Sequence, residues 1–241
     1  MSDDDDRPRS APRADHLRTV VADMVHDLRN PLSALAGNLA LLREELAGLT
    51  LTRVGQQSLD DATALAERSL AMVTTIADVD ALEAGTVTAR PQPTLLLGVV
   101  TSALATVDAD LAARALRVAV DVDPELVAEV DGRLIGRLLQ NLLDNATRQA
   151  PRGGRVELGA GHAPDGALIV TVGNDGPPLS ATEREALFAP DFRLSERRAS
   201  ARRGRGLGMY FCRLVALAHD GQLTVEERPG LPVTFVLRIP A

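Results

Sequence analysis

Three features of this 241-residue sequence predict an α+β chain, an antiparallel helical hairpin followed by an α/β sandwich. Apolar residues recur in steps of three and four from Leu17 to Leu46, and a second such pattern runs from Leu59 to Ile76. The stretch "ARPQPT" (89–94) then punctuates the chain with two prolines. Beyond it, helix-period and strand-period segments follow one another.

The first helix is predicted through Leu17, Val21, Met24, Leu28, Leu32, Leu35, Leu39, Leu42 and Leu46, which mark one face. Gly48 is its stop signal. The second passes through Leu59, Ala62, Ala66, Leu70, Val73 and Ile76 and ends near "ALEAGT". A hairpin of two such helices leaves much of its apolar stripe uncovered. Pairing with a second copy into a four-helix bundle would cover it, so a homodimer is expected. The predicted boundaries are a disordered leader over 1–13, the hairpin over 14–88 and the sandwich over 89–241.

In the second part, "LLLGVVTSALATVDADLAARAL" reads as helix, "RVAVDV" as strand and "DGRLIGRLLQNLLDNATRQA" as helix. "GRVELGAG" and "ALIVTVGN" alternate as strands, "GLGMYFCRLVALAHD" returns to helix, and "QLTVEE" and "VTFVLRIP" close as strands. That mixed order fits one sheet with helices on one face.

Composition narrows the function. The chain has no Trp and 2% aromatics, which argues against base-stacking nucleic-acid modules. No run of about 18 apolar residues appears, so no membrane span is expected. The start "MSDDDDRPRSAPR" lacks the apolar core of a signal peptide. One cysteine, Cys212, excludes an internal disulfide and fits a reducing cytoplasm. The net charge is -7, and every basic residue is Arg.

The stretch "HDLRNPLSAL" (26–35) places Pro31 inside the first predicted helix, where it removes a backbone hydrogen bond and crowds the preceding turn. With Met24 and Leu28 taken as seam residues, His26 lies about 200° from each and faces solvent, with Asn30 one turn on. Asp27 flanks the ring. A carboxylate beside an exposed imidazole can orient it and accept its proton while the other nitrogen attacks. Pro31 would then permit a bend just below His26. The plainer reading is a solvated His-Asp pair; His16, His162 and His219 fit that kind of structural reading, His219 as a helix-terminal residue before Gly221.

"HDLRNPL" resembles the phosphoacceptor box of sensor histidine kinases, His-Glu/Asp-x-x-Asn/Thr-Pro-Leu, and matches every defined position. The resemblance extends over about residues 14–241. "LLQNLLDNATR" is similar to the asparagine box of the kinases' ATP-binding domain, "RRGRGLGMYF" to their second glycine box, and "AHDGQLTVEERPGLPVTF" to their usual ending. It implies a HisKA-type dimerisation hairpin joined to a GHKL-type ATP-binding domain. It further implies nucleotide contacts at Asn141, Asn145, Arg148, Asn174, Gly176, Gly204, Gly206, Leu207 and Gly208, with Asn145 as the Mg²⁺ ligand. Glycines before a helix N-terminus suit close approach of phosphates in any case.

The sequence also departs from the family. "GNDGPPLS" puts Asn174 where the first glycine box has Asp, and Pro178 where it has a second glycine. Asp175 cannot substitute, because neighbouring strand residues face opposite ways. In "LFAPDFR", Asp191 is inserted into the Phe-x-Pro-Phe motif, and "RLSERRASARR" would be the lid. What the resemblance implies is autophosphorylation of His26 from Mg·ATP, with Asp27 as base and transfer to an aspartate of a response-regulator receiver. Asn30 would orient water for the reverse, phosphatase reaction. About 13 residues precede the first helix, so input is expected from a separate sensor protein or from the bundle. The alternative is an ATP-independent phosphotransfer adaptor or scaffold that keeps His26 and has lost the nucleotide. An ATPase of the chaperone or mismatch-repair type would leave "HDLRNPL" unexplained.

Overall fold

A computed structural model describes residues 11–189 and 206–241, with 11–24, 26 and 206 described by backbone alone. It separates into two units, 1–81 and 82–241. The first holds α1 (Ala11–Glu45) and nearly all of α2 (Arg53–Glu83). Residues 11–13, assigned above to the leader, open α1. The helix runs on through Pro31. It ends before a turn in which Gly48 takes a φ of 94°, a conformation open to glycine and unfavourable for other residues. On α2, Leu59, Thr63, Ala66, Val73, Thr75 and Val79 are buried. The two threonine hydroxyls are satisfied along the helix, by the carbonyls of Leu59 and Ala71.

The second unit begins differently from expectation. Residues read above as linker form β1 (Gln92–Leu95), which pairs antiparallel with β3 (Val127–Val130). Pro93, which has no N–H, is tolerated because this ribbon has only two strands and each is an edge. The long helix expected over residues 95–116 is two, α3 (Leu96–Ala105) and α4 (Asp108–Ala113), parted at Thr106 and Val107. There follow β2 (Arg117–Val122), the β3 strand, and α5 (Gly132–Gln149). Next come β4 (Arg155–His162), β5 (Leu168–Asn174), α6 (Ala181–Leu187) and α7 (Gly206–Ala218). The chain closes with β6 (Gln222–Arg228) and β7 (Leu231–Ile239).

The main sheet has the order β2-β4-β5-β7-β6, parallel between β2 and β4 and antiparallel elsewhere. Against it lie α5, through Leu134, Ile135, Leu138, Leu139, Leu142 and Leu143, and α7, through Phe211, Cys212 and Val215. Val156, Leu158, Val170, Val172, Phe235 and Leu237 answer from the strands. Phe188 meets Phe235 edge to face, 6.4 Å between centroids. The buried Cys212 thiol donates to the Leu138 carbonyl, and its burial pushes its pKa far up, which leaves it inert.

The N-terminus of α5 is held by one network. Asp131 Oδ1 accepts from the amides of Arg133 and Leu134, and its Oδ2 accepts from the amide of Arg90. Its own N–H donates to Nε2 of buried His219, 3.0 Å away. That fixes the His219 proton on Nδ1, which donates to the Val215 carbonyl. His219 is therefore a bridge from the end of α7 to the start of α5.

Candidate functional site

On α1, Val25 is buried, and Leu32 and Leu39, with Leu46 just past the helix end, follow it at seven-residue intervals, each partly covered. The stripe Leu28, Leu35 and Leu42 is 48%, 48% and 46% exposed. The expected face thus divides within one chain: Leu32, Leu39 and Leu46 are partly covered, while Leu28, Leu35 and Leu42 stay open. At 100° per residue the backbone sets His26 about 100° and Asn30 about 140° round from Val25, so the two share a face. Asp27 and Asn30 are exposed. Pro31 has no N–H with which to close the usual bond one turn back along the helix.

In the second unit, α5 and the start of α7 come together. Asn141 Nδ2 donates to the Arg137 carbonyl, which turns its Oδ1 toward Gly208. A Cβ on Gly208 would stand 2.7 Å from that oxygen, so this approach exists only with glycine. Asparagine box and second glycine box are therefore in contact. Asn145, one turn along α5, is buried, while Leu207 is partly covered beside Gly208. Arg148, the cation of this face, is paired at 2.9 Å with Asp144 on the exposed side. Gly206 opens α7 and is described by backbone alone; Gly204, the 193–203 stretch and Asp191 lie outside the described residues.

The end of β5 carries the most unusual chemistry. Asn174 is wholly buried, and neither its Oδ1 nor its Nδ2 has a hydrogen-bond partner. Leaving such a group unpaired costs about 1–3 kcal/mol, so it calls for an explanation. Gly176 presses against it: a Cβ there would lie 2.6 Å from Asn174 Nδ2 and 2.6 Å from the Gln149 carbonyl oxygen. Asp175 is occupied elsewhere. Its Oδ1 accepts from the Arg155 amide at 2.8 Å, and a Cβ on Gly154 would lie 2.5 Å from it. Asp175 thus clamps the start of β4, in keeping with its opposite side of the strand.

Thr147 adds one residue that sequence reasoning missed. Its hydroxyl is buried without a partner on α5, the helix that packs on β5. A polar residue at a position that continues the buried run of α5 was the available signal. Among the described residues, the buried side-chain atoms with no partner belong to Thr147 and Asn174 alone.

No cluster of three or more His, Cys, Asp or Glu suited to a metal occurs among the described residues. A Mg²⁺ that arrives with a triphosphate keeps several waters and takes only one or two protein oxygens. The one amide oxygen of buried Asn145 fits that demand. Among the described residues no helix is long and apolar enough to cross a membrane.

Residues 16–85 match the family model "His Kinase A (phospho-acceptor) domain". Residues 130–241 match "Histidine kinase-, DNA gyrase B-, and HSP90-like ATPase". The adaptive-response sensory kinase SasA of Synechococcus sp. (strain JA-2-3B'a(2-13)) is 29% identical over 236 residues, 98% of this chain and 62% of the relative. Histidine protein kinase DivJ of Caulobacter vibrioides is 30% identical over 91% of this chain and 36% of its own length. Full-length ShkA, solved in complex with AMPPNP, has the same fold, with a TM-score of 0.69, 19% identity, and coverage of 92% of this chain and 46% of that one. The chain thus spans under two thirds of the length of these relatives.

Proposed function

This chain belongs to the histidine kinase family, and from that premise we propose that it transfers the γ-phosphoryl group of ATP to His26 and then to an aspartate of a response-regulator receiver. The observation that carries the reading is the contact of Asn141 with Gly208, which brings the two nucleotide-binding strings to one place. The triphosphate lies along the N-terminus of α7, where Gly206, Leu207 and Gly208 present amides and positive potential. Asn141, Asn145 and Arg148 line the α5 side, and Asn174 and Gly176 meet the base. Asn145 would hold Mg²⁺ through its amide oxygen, and the ion would neutralise phosphate charge. An imidazole nitrogen of His26 forms the bond to γ-phosphorus as the bond to the bridging oxygen breaks and ADP leaves. Asp27 orients the ring and takes the proton from its other nitrogen. Positioning and charge neutralisation supply most of the rate.

The same reading makes the chain a homodimer, since the exposed stripe Leu28, Leu35 and Leu42 on α1 and Leu65 and Met72 on α2 suits a four-helix bundle. The hairpin domain is 14–88 and the ATP-binding domain 89–241. Asn30, on the His26 face, orients water for dephosphorylation. A cytoplasmic setting suits the reduced, buried Cys212.

The test is incubation with γ-labelled ATP and Mg²⁺ of the wild type beside His26→Gln and Asn145→Ala. Acid-labile label in the wild type alone is expected. A wild type that takes no label from ATP, yet accepts phosphoryl from a phosphorylated receiver, would overturn the kinase reading in favour of phosphotransfer without nucleotide.

A further inference from the structure

Asn174 differs in kind from a carboxylate at the same place. A primary amide carries an acceptor and two donors, while a carboxylate only accepts. Both polar atoms of Asn174 lack a partner inside the protein, so nothing internal pins the amide in either of its two orientations. A rotation of 180° exchanges Oδ1 and Nδ2 at nearly unchanged shape. No hydrogen bond from a neighbouring group selects one orientation. Asp175 is committed to the Arg155 amide, and Gly176 offers no side chain.

Now consider the two kinds of purine edge. Adenine presents an N6–H donor beside the N1 acceptor. A 6-oxopurine presents the O6 acceptor beside an N1–H donor. With Oδ1 toward N6, the amide accepts from N6–H and donates through Nδ2 to N1. Turned over, it donates to O6 and accepts from N1–H. Each edge receives two complementary hydrogen bonds from the same side chain. A carboxylate would meet O6 with like charge and no proton.

We infer that Asn174 reads the base as a reversible amide, so that the pocket accepts 6-oxopurine triphosphates as well as ATP. The inference rests on the placement of Asn174 against the base proposed above. Because Asn174 is shielded, a base reaches it only after local opening of what covers it. The gain on pairing two orphaned groups compensates that opening, and it does so for either edge.

The experiment titrates the full chain, in Mg²⁺ buffer, with ATP, inosine triphosphate and inorganic tripolyphosphate by calorimetry. Inosine triphosphate isolates the 6-oxo group, since it lacks the 2-amino group of guanosine. The expected result is binding of inosine triphosphate within about tenfold of ATP, with both tighter than tripolyphosphate. Asn174→Asp is expected to keep ATP and to weaken inosine triphosphate, relative to ATP, by about a hundredfold or more. Wild-type discrimination against inosine triphosphate by about a hundredfold, or an unchanged ratio in Asn174→Asp, overturns the inference while leaving ATP binding in place. If ATP binds no better than tripolyphosphate, the placement of the base fails, and the inference with it. The wild-type ratio stands even if the variant does not fold.

Discussion

The two units bury their apolar residues to different degrees. In the sandwich, Leu134, Ile135, Leu138, Leu139, Leu142 and Leu143 present almost no surface, because α3, α7 and the sheet enclose α5. In the hairpin, Leu28, Leu35, Leu42, Leu65 and Met72 stay about half exposed or more, although their spacing is as regular. A helix with two apolar stripes and one partner can cover only one of them. The lesson is that the sandwich encloses its core helix within one chain, while the hairpin leaves an apolar stripe open.

That contrast can be broken most forcefully from the sandwich side. Leu139→Ala removes a side chain that is fully enclosed and is expected to cost about 2–5 kcal/mol. Denaturant titration should show the loss at every protein concentration. Leu35→Glu places charge on the exposed stripe and is expected to raise the dimer dissociation constant by about tenfold or more. Analytical ultracentrifugation reads this; an unchanged dimer would mean that the stripe is not the interface.

A smaller effect tests how the sandwich is tied together. Asp131→Ala deletes an N-cap that also receives the Arg90 amide and is expected to cost about 1–2 kcal/mol, seen in the thermal midpoint of the second unit. The smallest concerns Tyr210, whose hydroxyl donates to Glu83, both within that unit. The hydrogen bond to Glu83, with some burial, holds its pKa above the ordinary value of about 10. The folded state therefore holds the proton more firmly than the unfolded one. This stability is fully present below the unfolded value and lost as pH rises through the folded value. Tyr210→Phe should flatten the alkaline arm of the stability profile above about pH 10, and equal profiles would count against the bond.

Much of the site was written in local strings. Asn141, Asn145 and Gly208 lie within short motifs, and the structure brings Asn141 to Gly208. The capping box of α6, Ser180 with Glu183, was also written in the sequence as Ser-x-x-Glu but overlooked. The strands β1 and β3 were not readable, since each is four residues long and exists because the other pairs with it. The break between α3 and α4 likewise leaves no mark that periodicity can detect. On α1, spacing alone did not separate the partly covered Leu32 and Leu39 from the exposed Leu28, Leu35 and Leu42.

The sequence by itself determined the order of units, the helix periods and the identity of the polar residues, because these follow from spacing along the chain. Only the tertiary structure decided which of two leucine stripes is covered, that His219 bridges two helices, and that the amide of Asn174 is orphaned at both ends. Burial and hydrogen-bond partnership are relations between segments remote in sequence, so no local pattern encodes them.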